Sequence, residues 1–179
     1  LYTREYFEAV KAHLNPGGVV TQWVPLYESD VNAVKSELAT FLEVFPNGTI
    51  WANNLNGQGY DLVLLGSADS ARIDINAMRE RFSDPRYAPV GESLSEVGFH
   101  SPVDLFSTYA GRGSDLTPWL ANAVINRDRS LHLQYIAAAG LNRYESEGIY
   151  AEMERYRKFP EALFVADEGM MGRLRQAIR

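Results

Sequence analysis

The sequence predicts an α/β fold over residues 1–69 followed by a mainly helical region over 70–179, and three observations carry that expectation. A helix, strand, helix, strand, turn, strand order is legible between Tyr6 and Gly66, which is an α/β order. The runs VVTQWV (19–24) and DLVLLG (61–66) are apolar enough for strands buried on both faces. Beyond Ser67 no further strong strand is apparent, and capped helices follow one another through loops containing Pro and Gly.

Each element has a local reason. Tyr6, Phe7, Val10 and Leu14 recur at helical spacing after Thr3, a capping residue, and Asn15-Pro16-Gly17-Gly18 stops the helix. That apolar face has nothing upstream to pack against. Val19 to Val24 is the first strand, ended by Pro25, with Gln22 as its one polar residue of note. Ser29 or Asp30 caps a second helix whose face is Val31, Val34, Leu38, Phe41, Leu42 and Phe45. Pro46-Asn47-Gly48 terminates it. Thr49 to Ala52 reads as a short strand, Asn53 to Gly59 as a turn, and Asp61 to Gly66 as the last strand.

In the second region Asp74 caps a helix reaching Phe82, and Ser101-Pro102-Val103-Asp104 resembles a capping box ending at Gly111 or Gly113. Thr117-Pro118 repeats that device. Residues 142–158 form a surface helix carrying Ile149, Met153 and Tyr156, and Met170, Met171, Leu174 and Ile178 mark a final one.

Composition narrows the function. The 179 residues carry 17 Lys and Arg against 23 Asp and Glu, a net charge of -6 that gives no electrostatic reason to expect nucleic acid or an anionic membrane as partner. The absence of Cys removes disulfides, thiolate nucleophiles and Cys-ligated metals. No apolar run approaches the roughly 20 residues a membrane span needs. His13, His100 and His132 have no paired-ligand spacing, so no metal site is expected. Gly57-Gln58-Gly59 and Gly111-Arg112-Gly113 read as turns, because neither is expected between a strand and a helix, the setting a phosphate loop requires. No Gly-x-Ser-x-Gly elbow exists.

Gln22 stands out, because an amide on a buried strand must find partners or cost about 1–3 kcal/mol. Open α/β sheets bind ligands at the carboxyl ends of their strands, where Gln22 to Glu28 lie. Trp23 and Tyr27 offer flat surfaces there, and Glu28 and Asp30 could attract an amine, unless Asp30 merely caps and Glu28 is solvated. The candidate substrate-binding residues are therefore Gln22, Tyr27 and Glu28, and no catalytic residue is assigned.

The words LYTREYFEAVKAHLNPGGVVTQWVPLYESD and GTIWANNLNGQGYDLVLLGS resemble the C-terminal half of spermidine synthase-like proteins, the polyamine aminopropyltransferases. They are most similar to bacterial forms often fused to membrane-spanning segments, with a Leu-Tyr/Phe-Thr helix start, a Pro-Gly-Gly turn and a Val-x-x-Gln-Trp strand. Residues 117–137 resemble a later family segment that often reads Asn-Thr-Asp-Asp-Arg-Pro, here Asn126-Arg127-Asp128-Arg129-Ser130. The resemblance implies the C-terminal half of a Rossmann-like class I methyltransferase fold, whose last units are a strand, a helix and a terminal antiparallel strand pair. It also implies that Gln22 matches a glutamine lining the amine pocket. The family's Pro-Thr-Tyr-Pro turn, whose tyrosine contacts substrate, falls near Asn53 to Gly57, where this sequence reads Asn-Asn-Leu-Asn-Gly.

For the complete protein the resemblance implies aminopropyl transfer from decarboxylated S-adenosylmethionine to a small amine. Because the tyrosine turn is absent, an S-adenosylmethionine-dependent methyltransferase or a lapsed cofactor binder is the second expectation, and a non-enzymatic binding or assembly module the third. The family's glycine-rich loop, ribose-binding carboxylate and catalytic aspartate match nothing here, so no cofactor site is expected in this chain. A cytoplasmic location is expected, at the inner membrane where upstream segments provide an anchor. The partners expected are an upstream half of the domain or a second copy pairing at the first strand's edge. Calorimetric titration of the 179-residue chain with S-adenosylmethionine is expected to show no micromolar binding, and such binding would relocate the cofactor site to these residues.

Overall fold

A computed structural model describes residues 2–55, 58–69, 72–140 and 145–178. In chain order the elements are α1 (Arg4–Ala12), β1 (Val19–Pro25), α2 (Val31–Val44), β2 (Thr49–Leu55), β3 (Gln58–Ser67), β4 (Ile73–Asp74), α3 (Ile75–Ser83) and α4 (Ala88–Glu96). They continue with α5 (Pro102–Phe106), β5 (Tyr109–Arg112), α6 (Gly113–Leu120), α7 (His132–Ile136), α8 (Ser146–Glu154), β6 (Phe164–Val165) and α9 (Glu168–Ala177). The chain divides into two units, Leu1–Ser70 with Ala110–Lys158, and Ala71–Tyr109 with Phe159–Arg179. The sequence suggested two consecutive segments, 1–69 and 70–179; in the structure residues 110–158 rejoin the first unit, because β5 extends its sheet and α6 supplies Leu116 and Trp119 to its core.

The first unit is built on a four-stranded sheet in the order β1-β3-β2-β5. Strand β3 is antiparallel to both β1 and β2, with Trp23 opposite Val63 and Val63 opposite Trp51. The strand, helix and terminal antiparallel pair implied by the resemblance are therefore present. The fold is α/β, with the strand arrangement of the C-terminal half of a Rossmann-like domain. Two boundaries differ from expectation. Strands β2 and β3 run on to Leu55 and from Gln58, with an irregularity at Asn53/Asn54, so backbone pairing absorbs most of the expected 53–59 turn; residues 56 and 57 lie outside the described residues. Strand β1 lies at the sheet's edge, as expected, but only Val24 is fully buried on it, where its sequence suggested burial on both faces.

Helix α2 covers one face of the sheet. The Asp30 carboxylate caps it, accepting from the backbone N–H groups of Asn32 (2.8 Å) and Ala33 (3.3 Å). Phe41 and Phe45 stack at 4.9 Å and press on the sheet so closely that a Cβ on Gly66 would lie 2.7 Å from Phe45 Cγ, which makes glycine the residue that fits there. Helix α1, capped by Thr3 Oγ1 through Tyr6 N–H (3.2 Å), does not leave its apolar face bare as its sequence suggested. Phe7 is fully buried edge-on against Phe41 at 5.2 Å, and Tyr6, Val10 and Leu14 pack on the same core. The partner of this face is supplied downstream by α2.

Asn126 locks this arrangement. Its backbone N–H donates to Thr40 Oγ1 (2.9 Å) and its carbonyl accepts from Arg4 N–H (2.9 Å). Its side chain donates to the Tyr2 carbonyl (2.9 Å) and accepts from Leu133 N–H (3.1 Å). Arg127 reaches Glu5 and Glu43, and Asp128 N–H donates to Glu5. The backbone N–H groups of Glu5 itself and Asp128 hold the Glu5 carboxyl below its ordinary value. The segment 126–130 thus clamps α1 onto α2.

In the second unit β4 and β6 pair in parallel, and Ile75, Phe106, Leu163, Phe164, Met170 and Leu174 are buried. The expected caps appear at Asp74, which accepts from Ala77 N–H, and at Ser101, whose hydroxyl accepts from Asp104 N–H and donates to the Asp104 carboxylate. Other expectations fail. Helix α5 stops at Phe106, and Pro118 lies inside α6 rather than starting a helix. The short strands β4, β5 and β6 carry too few residues for a periodicity to register. The start of the expected 142–158 helix lies outside the described residues, and α8 spans Ser146–Glu154 with Ile149 and Met153 buried.

Glu37 is a weak point of the first unit. It sits on α2 one turn from the buried Val34 and Phe41, and its enclosed Oε1 has no hydrogen-bond partner among the described residues. Burial raises its carboxyl from 4.5 to about 8. The folded state therefore holds a proton that the unfolded state releases at lower pH, so the stability Glu37 contributes is fully present below pH 4.5 and is lost as pH rises to about 8. Urea unfolding at stepped pH is expected to show that decline in the wild type. It should be absent in Glu37→Gln, which at pH 8 gains on the order of a few kcal/mol.

Candidate functional site

The carboxyl end of β1 and the loop after it form the site that the fold offers. The backbone of Leu26 donates to the Tyr60 carbonyl (3.2 Å), and the Gly18 carbonyl accepts from Ala68 N–H (3.1 Å). Even-numbered residues of β1 therefore turn their backbone groups toward β3. Because ladder bonding alternates along an antiparallel strand, Val19, Thr21 and Trp23 turn theirs toward the free edge. Pro25 adds a carbonyl there but no N–H.

The side chains alternate in the same register. Gln22 shares its face with Val20 and the buried Val24. It is half-buried, and its Nε2 donates to the Trp23 carbonyl at 2.8 Å, a local bond to an outward-turned acceptor. Trp23 lies on the opposite face, 44% exposed, with its Nε1 donating to Asp61 Oδ2 at 2.9 Å. Tyr27 is 6.1 Å from Trp23 and stacks on Tyr60 at 4.7 Å with an interplanar angle of 23°. Glu28 is exposed at a positive φ of 55°, and Asp30 is engaged as the α2 cap.

The structure thus brings Tyr27 together with Trp23, Tyr60 and Asp61. Among the described residues no bond or ring contact joins Gln22 to Tyr27 or Glu28. Tyr60 and Asp61 were missed from the sequence because they look like the start of an apolar strand; only the register of β3 against β1 sets them beside the loop. Chemically, the arrangement is a tilted aromatic surface with the Asp61 carboxylate beside it and the exposed Glu28 next in the chain after Tyr27, suited to an organic cation.

The reading of Gly111-Arg112-Gly113 needs correction, since it does sit between a strand, β5, and a helix, α6. It is not an open anion site. The carboxylate of Asp115, buried in the first turn of α6, faces the helix start and is bonded by Arg112 Nε at 3.0 Å, so a side chain of the helix already answers the N-terminal dipole. Gly113 is also packed tight, with a Cβ there lying 3.2 Å from Leu42 and from the Pro46 carbonyl. Gly57-Gln58-Gly59 falls partly outside the described residues. Among the described residues no group of three potential metal ligands occurs, and no helix is long and apolar enough to cross a membrane.

No family model matches this sequence, and no curated protein matches it. Among solved structures the chain is similar to a probable spermidine synthase from Corynebacterium glutamicum ATCC 13032, at 25% identity and a TM-score of 0.43, covering 71% of this chain and 41% of that one. The chain thus spans less than half the length of that protein.

The local character of the Gln22 bond and the stacking of Tyr60 give opposite expectations for stability. In urea titrations Gln22→Ala is expected to shift unfolding by less than about 0.5 kcal/mol, as at other surface positions. Tyr60→Ala, which removes the stacked ring, is expected to cost about 1–2 kcal/mol.

Proposed function

We propose that this chain is the amine-side half of a spermidine synthase-like transferase domain, which moves an aminopropyl group from decarboxylated S-adenosylmethionine to a small amine. The observation that carries the reading is the β1-β3-β2 arrangement with an unpaired β1 edge, set against the Pro-Gly-Gly turn and Val-x-x-Gln-Trp strand of the resemblance. In the complete domain an additional strand lies on that edge and contributes the cofactor half. The residues present here would supply one wall. Trp23, Tyr27 and Tyr60 receive the alkyl chain and cationic nitrogen of the amine, and Asp61 and Glu28 hold its far charge, while Gln22, on the opposite face of β1, takes no part in that wall. Proton removal from the attacking nitrogen belongs to a carboxylate outside these residues.

The departure of the sequence at Asn53 to Gly57 favours methyl transfer from S-adenosylmethionine, or cofactor binding without turnover, as the second reading. The exposed Trp23 and Tyr60 on the sheet favour an assembly module as the third.

The test is turnover of the chain produced with any residues encoded upstream of it. Putrescine and decarboxylated S-adenosylmethionine are expected to yield spermidine, and Tyr27→Ala to raise the amine KM about tenfold or more, as loss of one cation–aromatic contact worth about 1–2 kcal/mol implies. Methyl transfer in place of aminopropyl transfer would establish the second reading. Absence of either product, with the protein folded, would overturn the enzymatic reading.

A further inference from the structure

The second unit holds an open cleft of about 850 Å³ between α3 and α4, closed at one end by His100 and Pro102. Three observations make it more than a surface irregularity. Helix α4 has no buried residue, no side-chain bond at its N-cap and a glycine in its interior, although an isolated nine-residue helix is marginal in water. The residues Ala88, Gly91 and Ser95 that line the cleft from α4 are small, and a Cβ on Gly91 would touch nothing within 4 Å, so the space facing Phe82 is left unfilled. Finally, the walls carry opposite charges: Arg79 from α3, and Glu92 and Glu96 one turn apart on α4. Among the described residues none of the three has an ion pair.

Opposite charges in one cleft that do not neutralise each other fit a ligand carrying both. We propose that this cleft binds a small zwitterion of the amino-acid class, with its ammonium at Glu92 and Glu96, its carboxylate at the Arg79 guanidinium and its apolar body on Phe82 and Pro102. A guanidinium takes a carboxylate in bidentate fashion, and an ammonium donates to either acidic oxygen. Such a ligand also bridges α3 and α4, adding to the sparse contact these helices already make.

The experiment is ¹⁵N-resolved NMR of the full 179-residue chain, titrated with each of the twenty standard L-amino acids. L-leucine is run beside isoamylamine and 4-methylpentanoate, which keep one charge each. Saturable shifts are expected at Gly91, Ser95 and Ser101 with one or more amino acids, together with slowed amide exchange along α4. Binding should fall about tenfold or more in the single-charge analogues and in Arg79→Gln, as loss of one charge-assisted hydrogen bond implies. Gly91→Leu, which has room for its side chain and improves the helix, should keep the fold and abolish the shifts. Equal binding by the amine or the acid alone, shifts that survive Gly91→Leu, or no saturable shift with any amino acid would overturn the proposal.

Discussion

Strand β3 is the constraint on which the first unit depends. It is hydrogen-bonded to β1 on one side and β2 on the other, and neither of those strands pairs with the other. The sheet therefore cannot close until the third of these strands, β3, has been placed, beginning at Gln58 after the chain leaves β1 at Pro25. Loop-closure entropy grows slowly with length, so the long connection is tolerable if the contacts made on closure are good. They are: Leu62 and Leu64 of β3 are fully buried beneath the apolar face of α2, and Gly66 lets Phe41 and Phe45 reach the backbone. A one-residue slip of β3 would turn Val63 and Leu65 toward α2 in place of Leu62 and Leu64, so burial fixes the register. The same register fixes the candidate site, because Tyr60 and Asp61 reach Tyr27 and Trp23 only in it.

Asn126 plays the corresponding part for the helices. An amide can donate and accept simultaneously, and with its own backbone groups this residue answers Tyr2, Arg4, Thr40 and Leu133 together. At 2% exposed it could not sit there unbonded without the cost of buried polar groups. Nearby, Glu43 and Glu5 receive Arg4 and Arg127, exposed pairs worth little singly. Their value is positional, since they keep α1 on α2, and α1 precedes the turn that delivers β1.

The two faces of β1 divide the site between packing and recognition. The Val20, Gln22, Val24 face looks to the core, while Trp23 lies on the exposed face with Asp61 as its hydrogen-bond acceptor. Aromatic rings held at 4.7 and 6.1 Å by strand register and a short loop are preorganised, so a ligand need not order them. Among the described residues the outward N–H groups of Val19, Thr21 and Trp23 have no strand beside them, and β1 carries no charge to blunt that edge, the kind of edge that another strand completes.

The sequence by itself determined the helices with apolar stripes, α1, α2 and α9, and the apolar runs that make β1 and β3 strands. Those signals are local: a Thr or Asp before an apolar period of 3.6, a β-branched run, a Pro-Gly stop. It also marked Tyr27, through its place at a strand end. What it could not settle was anything set by pairing partners distant in the chain. The insertion of β3 between β1 and β2 and the recruitment of β5 depend on which strands meet. So does the placing of Tyr60 and Asp61 beside Tyr27. The tertiary structure likewise decided that Gly111-Arg112-Gly113 leads from a strand into a helix, because β5 exists only through its pairing in the sheet; the Arg112–Asp115 pair at that helix start is a local contact three residues apart.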